Sequence, residues 1–139
     1  MTTEPMPVPE PTPLTAPYWD AARRGELHLQ RCARCDEAIG YPRLNCPSCG
    51  GRELGWFRAQ GTGRIWSYVV VERTEPAFAA AAPYVVAVIE LDEGPRLLSV
   101  IRGVEARHDM SLMDRRVRVE FEPRGNQQIP VFTVQEEHA

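Results

Sequence analysis

Cys32-Ala33-Arg34-Cys35 and Cys46-Pro47-Ser48-Cys49 contain all four cysteines of the chain and fix the structure that forms around them. Each C-x2-C pair can present two thiolates on one side of a tight turn, and two such turns can surround Zn2+ with sulfurs at about 2.3 Å. Ten residues, 36–45, separate the pairs. The spacing predicts a zinc ribbon, with iron in a rubredoxin-like site as the alternative. Four thiolates leave no open position on the metal, so the predicted role is structural and no thiol remains as a nucleophile.

Bulk properties limit the class of function. The formal net charge is -3, without the basic excess typical of nucleic-acid binders. No apolar stretch is long enough to span a bilayer, and the N-terminus has neither the basic nor the apolar region of a secretory signal. We therefore expect a cytoplasmic protein that contacts neither nucleic acid nor membrane, where reduced thiols favour a metal site over two disulfides. All 16 basic residues are arginine, so no lysine is present to form a Schiff base.

The chain divides into four predicted segments: a proline-rich tail (1–17), a short helix with the zinc ribbon (18–54), a barrel (55–135) and a polar tail (136–139). Six of the thirteen prolines fall in the first segment, which favours an extended chain there. The helix is predicted over Tyr18–Arg24, with Gly25 as its stop. It is too short to be stable alone, so Tyr18 and Trp19 must pack on their own domain or dock on another subunit.

Alternating apolar residues after residue 54 predict five strands. They are Trp56–Gln60 with Gly63–Val71 as one long or broken strand, Pro83–Leu91, Arg96–Arg102, Arg116–Glu122 and Ile129–Val134. Gly61 and Gly63 suggest a bulge or bend in the first strand. A short helix is expected around Met110–Asp114. Five strands with a helix-sized insertion only between the third and fourth predict an OB-fold barrel, and an SH3-like barrel fits the strand count alone. The predicted fold class is mainly β, with a short N-terminal helix and a four-cysteine zinc ribbon before this barrel.

The segment that joins the first two barrel strands is apolar and rich in alanine, from Glu75 to Tyr84. Its large residue Phe78 either packs into its own barrel or contacts a partner or an apolar ligand, because the first loop of an OB-fold often borders the binding face. No catalytic residue is predicted. The three histidines, His28, His108 and His138, lie near no obvious nucleophile in the sequence and are expected to be structural or exposed.

Several short motifs, in this order, resemble one protein family. Its zinc-ribbon half is similar to Tyr18-Trp19-Asp20-Ala21-Ala22, Leu27-His28-Leu29-Gln30-Arg31-Cys32, Cys35, Tyr41-Pro42-Arg43 and Cys46-Pro47-Ser48-Cys49-Gly50. Its barrel half is similar to Gly61-Thr62-Gly63-Arg64-Ile65-Trp66-Ser67-Tyr68, Ala82-Pro83-Tyr84 and Leu91-Asp92-Glu93-Gly94. This is the acyl-CoA-associated OB-fold family with a rubredoxin-like zinc ribbon, known as domain of unknown function 35. The resemblance covers about residues 18–134.

The resemblance implies a non-catalytic subunit that carries structural Zn2+ and supports a thiolase-fold acyl-CoA enzyme. That enzyme would be a thiolase or an aldolase of the steroid side-chain type, in an α2β2 hetero-oligomer with acyl-CoA at the shared site. A MaoC-type enoyl-CoA hydratase is the alternative partner. The acyl-CoA or partner contacts expected in this chain are Phe78, Pro83, Tyr84, Tyr18 and Trp19, with Arg58, Arg64 and Arg73 as candidates for CoA phosphates.

Two rival functions remain open at this stage. A single-stranded nucleic-acid binder would stack bases on Trp56, Trp66 and Tyr68, although the net charge opposes it. A stand-alone acyl-CoA enzyme would need catalytic groups other than cysteine and lysine.

Overall fold

Two β-sheets follow one another along the chain in the computed structural model, which describes residues 6–135. The elements are α1 (Ala16–Arg23), β1 (His28–Cys32), β2 (Ala38–Ile39), β3 (Leu54–Arg58), β4 (Thr62–Val71), α2 (Pro76–Ala79), β5 (Tyr84–Leu91), β6 (Arg96–Arg102), β7 (Arg116–Arg124) and β8 (Gln127–Val134). Strands β2, β1 and β3 form a three-stranded sheet in that order, and the other five strands close a barrel.

The barrel has the strand order β4-β5-β6-β8-β7. Its neighbours are antiparallel except β6 and β8, which run parallel and pair only at Ile101↔Phe132 and Arg102↔Thr133. A five-stranded, partly open Greek-key barrel is the OB arrangement. The predicted OB-fold is confirmed, and the short pairing of β6 with β8 leaves the first part of β6 free of a strand on that side.

Strand β3 belongs to the ribbon and not to the barrel. It pairs with β1 over five positions, from His28↔Arg58 to Cys32↔Leu54. The prediction that Trp56–Gln60 begins the first barrel strand is therefore wrong. Gly61 turns the chain between the two sheets at a φ of 79°, a conformation that glycine adopts without steric cost. The predicted domain boundary after residue 54 falls inside β3, and the division into segments stays a prediction.

Gly63 marks a close approach of two backbones. A Cβ at this position would lie 2.3 Å from the Glu90 carbonyl oxygen of the neighbouring strand. The β-bulge of β4 lies further along, between Ile65 and Ser67, and not at Gly61 or Gly63 as the sequence suggested. The sequence therefore located the irregular strand, but these glycines serve a turn and a tight strand contact.

The two helices and one loop differ from expectation. Helix α1 begins at Ala16, inside the predicted tail, because Pro17 in its first turn is compatible with a helix start. Helix α2 forms in the segment expected to be a loop. The helix expected around Met110–Asp114 is wrong: the chain makes turns there and Asp114 has a φ of 61°. Residues 1–5 of the predicted proline-rich tail and all of the predicted polar tail (136–139) lie outside the described residues.

One apolar core joins the ribbon to the barrel. Leu27 and Leu29, on and beside β1, pack in the same buried cluster as Ile65, Ile89 and Phe132 of the barrel. Ala21 and Ala22 of α1 are buried as well. The ribbon is therefore anchored on the barrel by shared hydrophobic burial as well as by the connecting turn.

Candidate metal centre and ligand cavity

The two cysteine turns bring the four sulfurs together. All four Sγ atoms lie within 4.8 Å of one another, with Cys32 and Cys49 at 3.6 Å and Cys35 and Cys46 at 3.5 Å. A tetrahedron with metal–sulfur bonds of 2.3 Å has edges of about 3.8 Å. The chain therefore holds a metal-binding site of four cysteines, folded close to the geometry that a tetrahedral ion requires.

The electrostatics of the four thiols favour a cation among them. Backbone N–H groups of Cys35 and Arg34 donate to the Cys32 sulfur and lower the pKa of this thiol to about 7. The Glu37 N–H likewise lowers the pKa of Cys35, but the neighbouring Cys46 thiol and burial outweigh it and raise that pKa to about 12. Without a cation the four groups cannot all ionise, because close thiolates repel one another. A divalent metal removes this conflict.

Gly51 lies close to two of the sulfurs. The Gly51 N–H donates to Cys49 Sγ at 3.4 Å, and a Cβ on Gly51 would lie 3.3 Å from the sulfurs of Cys32 and Cys49. Four sulfur ligands fill a tetrahedral shell. A tetrahedral ion held by these four sulfurs would link the two cysteine turns and have no open coordination position.

A cavity of about 500 Å3 lies where α1, the ribbon and the barrel meet. Its lining is mostly apolar and includes residues of α1 (Tyr18, Trp19), the ribbon loop (Gly40, Tyr41, Pro42), the segment around α2 (Phe78, Ala81) and strands β5, β6, β7 and β8. Ligand sites of proteins have volumes of this order, apolar walls and a few placed polar groups. The cavity is therefore a candidate ligand site.

Strand β5 supplies part of the cavity wall through apolar residues of its second face. Val85, Ala87, Ile89 and Leu91 point into the core and are buried. The alternate residues Tyr84 and Val86 line the cavity. A mostly apolar sequence is typical of a strand that is covered on both faces. Here one face packs in the core, and part of the other face borders the cavity.

The loop between the two cysteine pairs forms one wall of the cavity. The Leu98 N–H on β6 donates to the Tyr41 hydroxyl at 2.9 Å, at the part of β6 that does not pair with β8. The buried Gln30 side chain fixes the same loop, because its amide accepts from the Arg43 N–H at 2.8 Å and donates to the Arg43 carbonyl at 3.1 Å. The metal site and the cavity therefore share a structural element.

Aromatic residues of α1 also line the cavity. Tyr18 and Trp19 contact each other edge to face, with ring centroids 4.9 Å apart. Burial, with a smaller contribution from Tyr41, raises the pKa of Tyr18 to about 12. The phenol therefore stays neutral and can donate a hydrogen bond at any physiological pH.

Charged residues occur at one part of this apolar lining. Arg102 donates to both oxygens of Glu122, at 2.8 and 3.0 Å. This bond is the main reason why the pKa of Glu122 lies below its usual range. Arg124 lies 3.8 Å from the same carboxylate and its guanidinium is 5.9 Å from the centre of the Phe78 ring.

The structure brings together four of the predicted contact residues and separates the others. Phe78, Tyr84, Tyr18 and Trp19 line the cavity. Pro83 is exposed beside it and does not line it.

The arginines predicted to meet CoA phosphates lie elsewhere. Arg58 ends β3 and Arg73 follows β4, both exposed, while Arg64 pairs with Glu90 and Asp114. The cationic residues at the cavity are Arg102 and Arg124, which the sequence did not indicate. Both stand at strand ends, and a pattern of alternating residues gives no sign of which strand ends converge in space.

The two histidines within the described residues are engaged with carboxylates. His28 Nε2 lies 2.9 Å from Glu26, and His108 Nε2 lies 2.9 Å from Glu72. Neither lines the cavity, and His138 lies outside the described residues. Within residues 6–135, no helix has the length and apolar character needed to cross a membrane.

Fold and site together define a four-cysteine ribbon joined to an OB barrel. Residues 19–55 match the model of the ChsH2 rubredoxin-like zinc ribbon domain, and residues 56–122 match that of the ChsH2 C-terminal OB-fold domain. The chain belongs to this ChsH2 family of zinc-ribbon OB-fold proteins. The resemblance seen in the sequence is confirmed.

Two relatives from other organisms share parts of the sequence. A DUF35 domain-containing scaffold protein of Methanothermobacter thermautotrophicus is 34% identical over 106 residues, which cover 72% of this chain and 80% of that protein. A probable enoyl-CoA hydratase alpha subunit of Thermomonospora curvata is 40% identical over 88 residues. The match covers 63% of this chain and 27% of that protein, so this chain corresponds to about a quarter of the longer relative.

Two solved structures share the fold. A chain of the Ltp2-ChsH2(DUF35) aldolase superposes with a TM-score of 0.78 at 32% identity, covering 91% of this chain and 98% of that one. A DUF35-family protein of unknown function from Sulfolobus solfataricus superposes with a TM-score of 0.60 at 14% identity, over 88% of this chain and 86% of that one. The second likeness concerns the fold alone.

Proposed function

We propose that this chain is a non-catalytic subunit that binds a thiolase-fold acyl-CoA enzyme, of the thiolase or steroid side-chain aldolase type, and helps to form its acyl-CoA site. One observation carries the proposal: the chain matches a subunit of the Ltp2-ChsH2(DUF35) aldolase over nearly the whole length of both. The scaffold proteins among its relatives support the same role.

The chemistry of the chain agrees with a supporting role. All four thiols are committed to the metal site, and the sequence contains no lysine. The chain therefore offers neither a free thiol nor a lysine amine, two groups that form covalent intermediates in acyl transfer and aldol chemistry. The reaction is assigned to residues of the catalytic subunit.

The metal of the ribbon is proposed to be Zn2+, held by Cys32, Cys35, Cys46 and Cys49. With four thiolates it would supply folding energy and no reaction chemistry. The family model that matches these residues describes a zinc ribbon. Metal analysis of the purified chain distinguishes zinc from iron, which would give the visible absorption of an iron–thiolate site.

The acyl-CoA contacts are proposed to be the aromatic walls of the cavity, formed by Tyr18, Trp19, Phe78 and Tyr84, with Pro83 beside them at the partner surface. These side chains offer rigid apolar area next to few polar groups. We propose that the assembly is an α2β2 hetero-oligomer in the cytoplasm. An αβ heterodimer would have half the mass of an α2β2 assembly, so light scattering of the purified complex tests the stoichiometry directly.

The proposal is tested by co-expression with thiolase-fold proteins of the same organism. The tagged chain should retain one of them at a fixed ratio, and the pair should cleave a β-hydroxyacyl-CoA thioester faster than the thiolase-fold protein alone. Trp19→Ala removes one aromatic ring of the cavity lining, leaves the four cysteines intact and should lower the activity of the pair. If the thiolase-fold protein is equally soluble and equally active without the chain, the proposed supporting role is refuted.

A hydratase partner is the second candidate, because two relatives carry that name. Besides the Thermomonospora curvata protein, the 3-oxo-4,17-pregnadiene-20-carboxyl-CoA hydratase alpha subunit of Mycobacterium tuberculosis is 29% identical over 111 residues, 77% of this chain and 34% of that protein. Retention of a MaoC-type protein in place of a thiolase-fold protein in the same co-expression, with hydration of an enoyl-CoA, would favour this candidate.

A further inference from the structure

Three charged side chains interrupt the apolar lining of the cavity: Arg102, Glu122 and Arg124. Two guanidinium groups share one carboxylate, so the group carries one positive charge in excess. Arg102 donates one hydrogen bond to each carboxylate oxygen of Glu122. The excess charge therefore belongs mainly to Arg124.

Arg124 is held where its charge is poorly compensated. Its side chain is only 19% exposed, and Glu122 at 3.8 Å is the only carboxylate within 4.0 Å of it among residues 6–135. The nearby Phe78 ring, at 5.9 Å, offers only a weak attraction for a cation. Taking a guanidinium partly out of water costs free energy unless an anion pairs with it. The arrangement is suited to receive a negative group from a ligand.

The surroundings define the rest of that ligand. The cavity has about 500 Å3, and Tyr84, Val86 and Phe78 form an apolar surface beside the arginines. A suitable ligand has a long, mainly uncharged arm and an anionic group at one end. The fork of an arginine matches the oxygens of a phosphate.

We propose that Arg124, supported by Arg102, is the anion anchor of this cavity, and that it binds the phosphate at the end of a phosphopantetheine arm. The arm lies along Phe78, Tyr84 and Val86 and carries its acyl thioester toward the α1 wall. The inference rests on the proposed function, because CoA thioesters carry this arm. It goes further in naming the part of the ligand that this chain holds and the residue that holds it.

The experiment compares two ligands that differ only in the phosphate: a hexanoyl thioester of pantetheine and the same thioester of 4′-phosphopantetheine. Their affinities for the full-length chain, and for its complex with the catalytic subunit, are measured by isothermal titration calorimetry. Hydrogen bonds to charged groups are each worth about 1.5–3 kcal/mol. The phosphorylated ligand should therefore bind about tenfold more tightly or better.

Arg124→Gln should abolish this phosphate preference and leave the affinity for the unphosphorylated thioester within about twofold. Arg124→Lys, which keeps the charge but loses the fork, should restore part of the preference. Arg118→Gln is the matched control: Arg118 is exposed on the same strand, does not line the cavity and should behave as the unaltered chain. Thermal unfolding of each variant shows whether its fold is retained.

Several results would overturn the proposal. The first is an equal affinity for the two thioesters, and the second is a phosphate preference that survives in Arg124→Gln. The third is that neither thioester binds to the chain or to the complex. The fourth is that free hexanoate binds more tightly than either thioester, in a way that depends on Arg124. The last result would assign the cavity to carboxylic acids. If Arg124→Gln retains the catalytic subunit and the phosphate preference, only this inference fails. If no catalytic subunit is retained by the unaltered chain, the proposed function fails, whatever the calorimetry of the chain alone gives.

Discussion

Gly63→Ala should destabilise the barrel strongly, although it adds a single methyl group. Gly63 lies where β4 pairs with β5 on one side, opposite Leu91, and with β7 on the other, opposite Val117. The added Cβ would lie 2.3 Å from the Glu90 carbonyl oxygen and 3.0 Å from the Leu91 Cα, both backbone atoms. No side chain can rotate away to relieve the contact, so the strands themselves must separate.

The size of the effect follows from these distances. Real Cβ atoms essentially never approach closer than 3.0 Å, so β4 and β5 must separate by about 0.7 Å. A ladder hydrogen bond of about 2.9 Å then lengthens to about 3.6 Å and is lost. Two such bonds cost about 1 kcal/mol each, and the strain of overpacking adds about 1–3 kcal/mol. We expect a loss of about 3–5 kcal/mol in the free energy of unfolding, or roughly 10–15 °C in the melting temperature.

The measurement is chemical and thermal unfolding of the metal-loaded chain, followed by circular dichroism. Gly55→Ala is the matched control, because Gly55 lies in β3 with no atom within 4 Å of the added methyl group. It should leave stability unchanged or raise it by up to about 1 kcal/mol. A Gly63→Ala variant as stable as Gly55→Ala would show that the close contact of β4 with Glu90 is not a property of the folded protein.

Three further outcomes are expected. Cys46→Ser should lower the metal content measured by mass spectrometry and destabilise the ribbon by several kcal/mol; a full equivalent of metal would contradict the four-sulfur site. Tyr41→Phe removes the acceptor of the Leu98 N–H and should cost about 0.5–1.5 kcal/mol in unfolding free energy, whereas an unchanged value would mean that water replaces the hydroxyl. Arg116, which donates to both Asp92 oxygens, lowers the pKa of Asp92, so this carboxylate stabilises the fold above its unfolded pKa of about 3.9. The unfolding free energy of Asp92→Asn at pH 7 should therefore be lower than that of the unaltered chain by up to about 1 kcal/mol. This difference should vanish as acid protonates Asp92. A difference that does not change with pH would refute the ion pair.

The sequence predicted the elements whose signals are local. The cysteine turns depend on spacing within a few residues, and β5 and β6 follow an apolar pattern that the barrel needs to fill its core. The same pattern misassigned β3, because it shows that a strand exists and does not show which sheet it joins. That choice depends on pairing with β1, about 25 residues earlier in the chain, and on a turn at Gly61.

The candidate site was predicted only in part, for the same reason. Phe78 and Tyr84 stood out because an apolar loop is unusual and Tyr84 begins a strand. Arg102 and Arg124 belong to strands separated by a loop, and their approach to one carboxylate depends on the closure of the barrel. Among sixteen arginines, no local feature of the sequence distinguishes these two from Arg58 or Arg73.

The pairing of β3 with β1 has a consequence for how such proteins can be inherited. The two family models meet between residues 55 and 56, inside β3 (Leu54–Arg58). A recombination event at that boundary would cut β3 in two and leave one edge of β1 without its partner strand. Leu29 and Cys32 of β1 are buried in the intact protein. Exposed strand edges promote aggregation. Ribbon and barrel should therefore pass between genes as one module, and a viable fusion to another enzyme should join outside it.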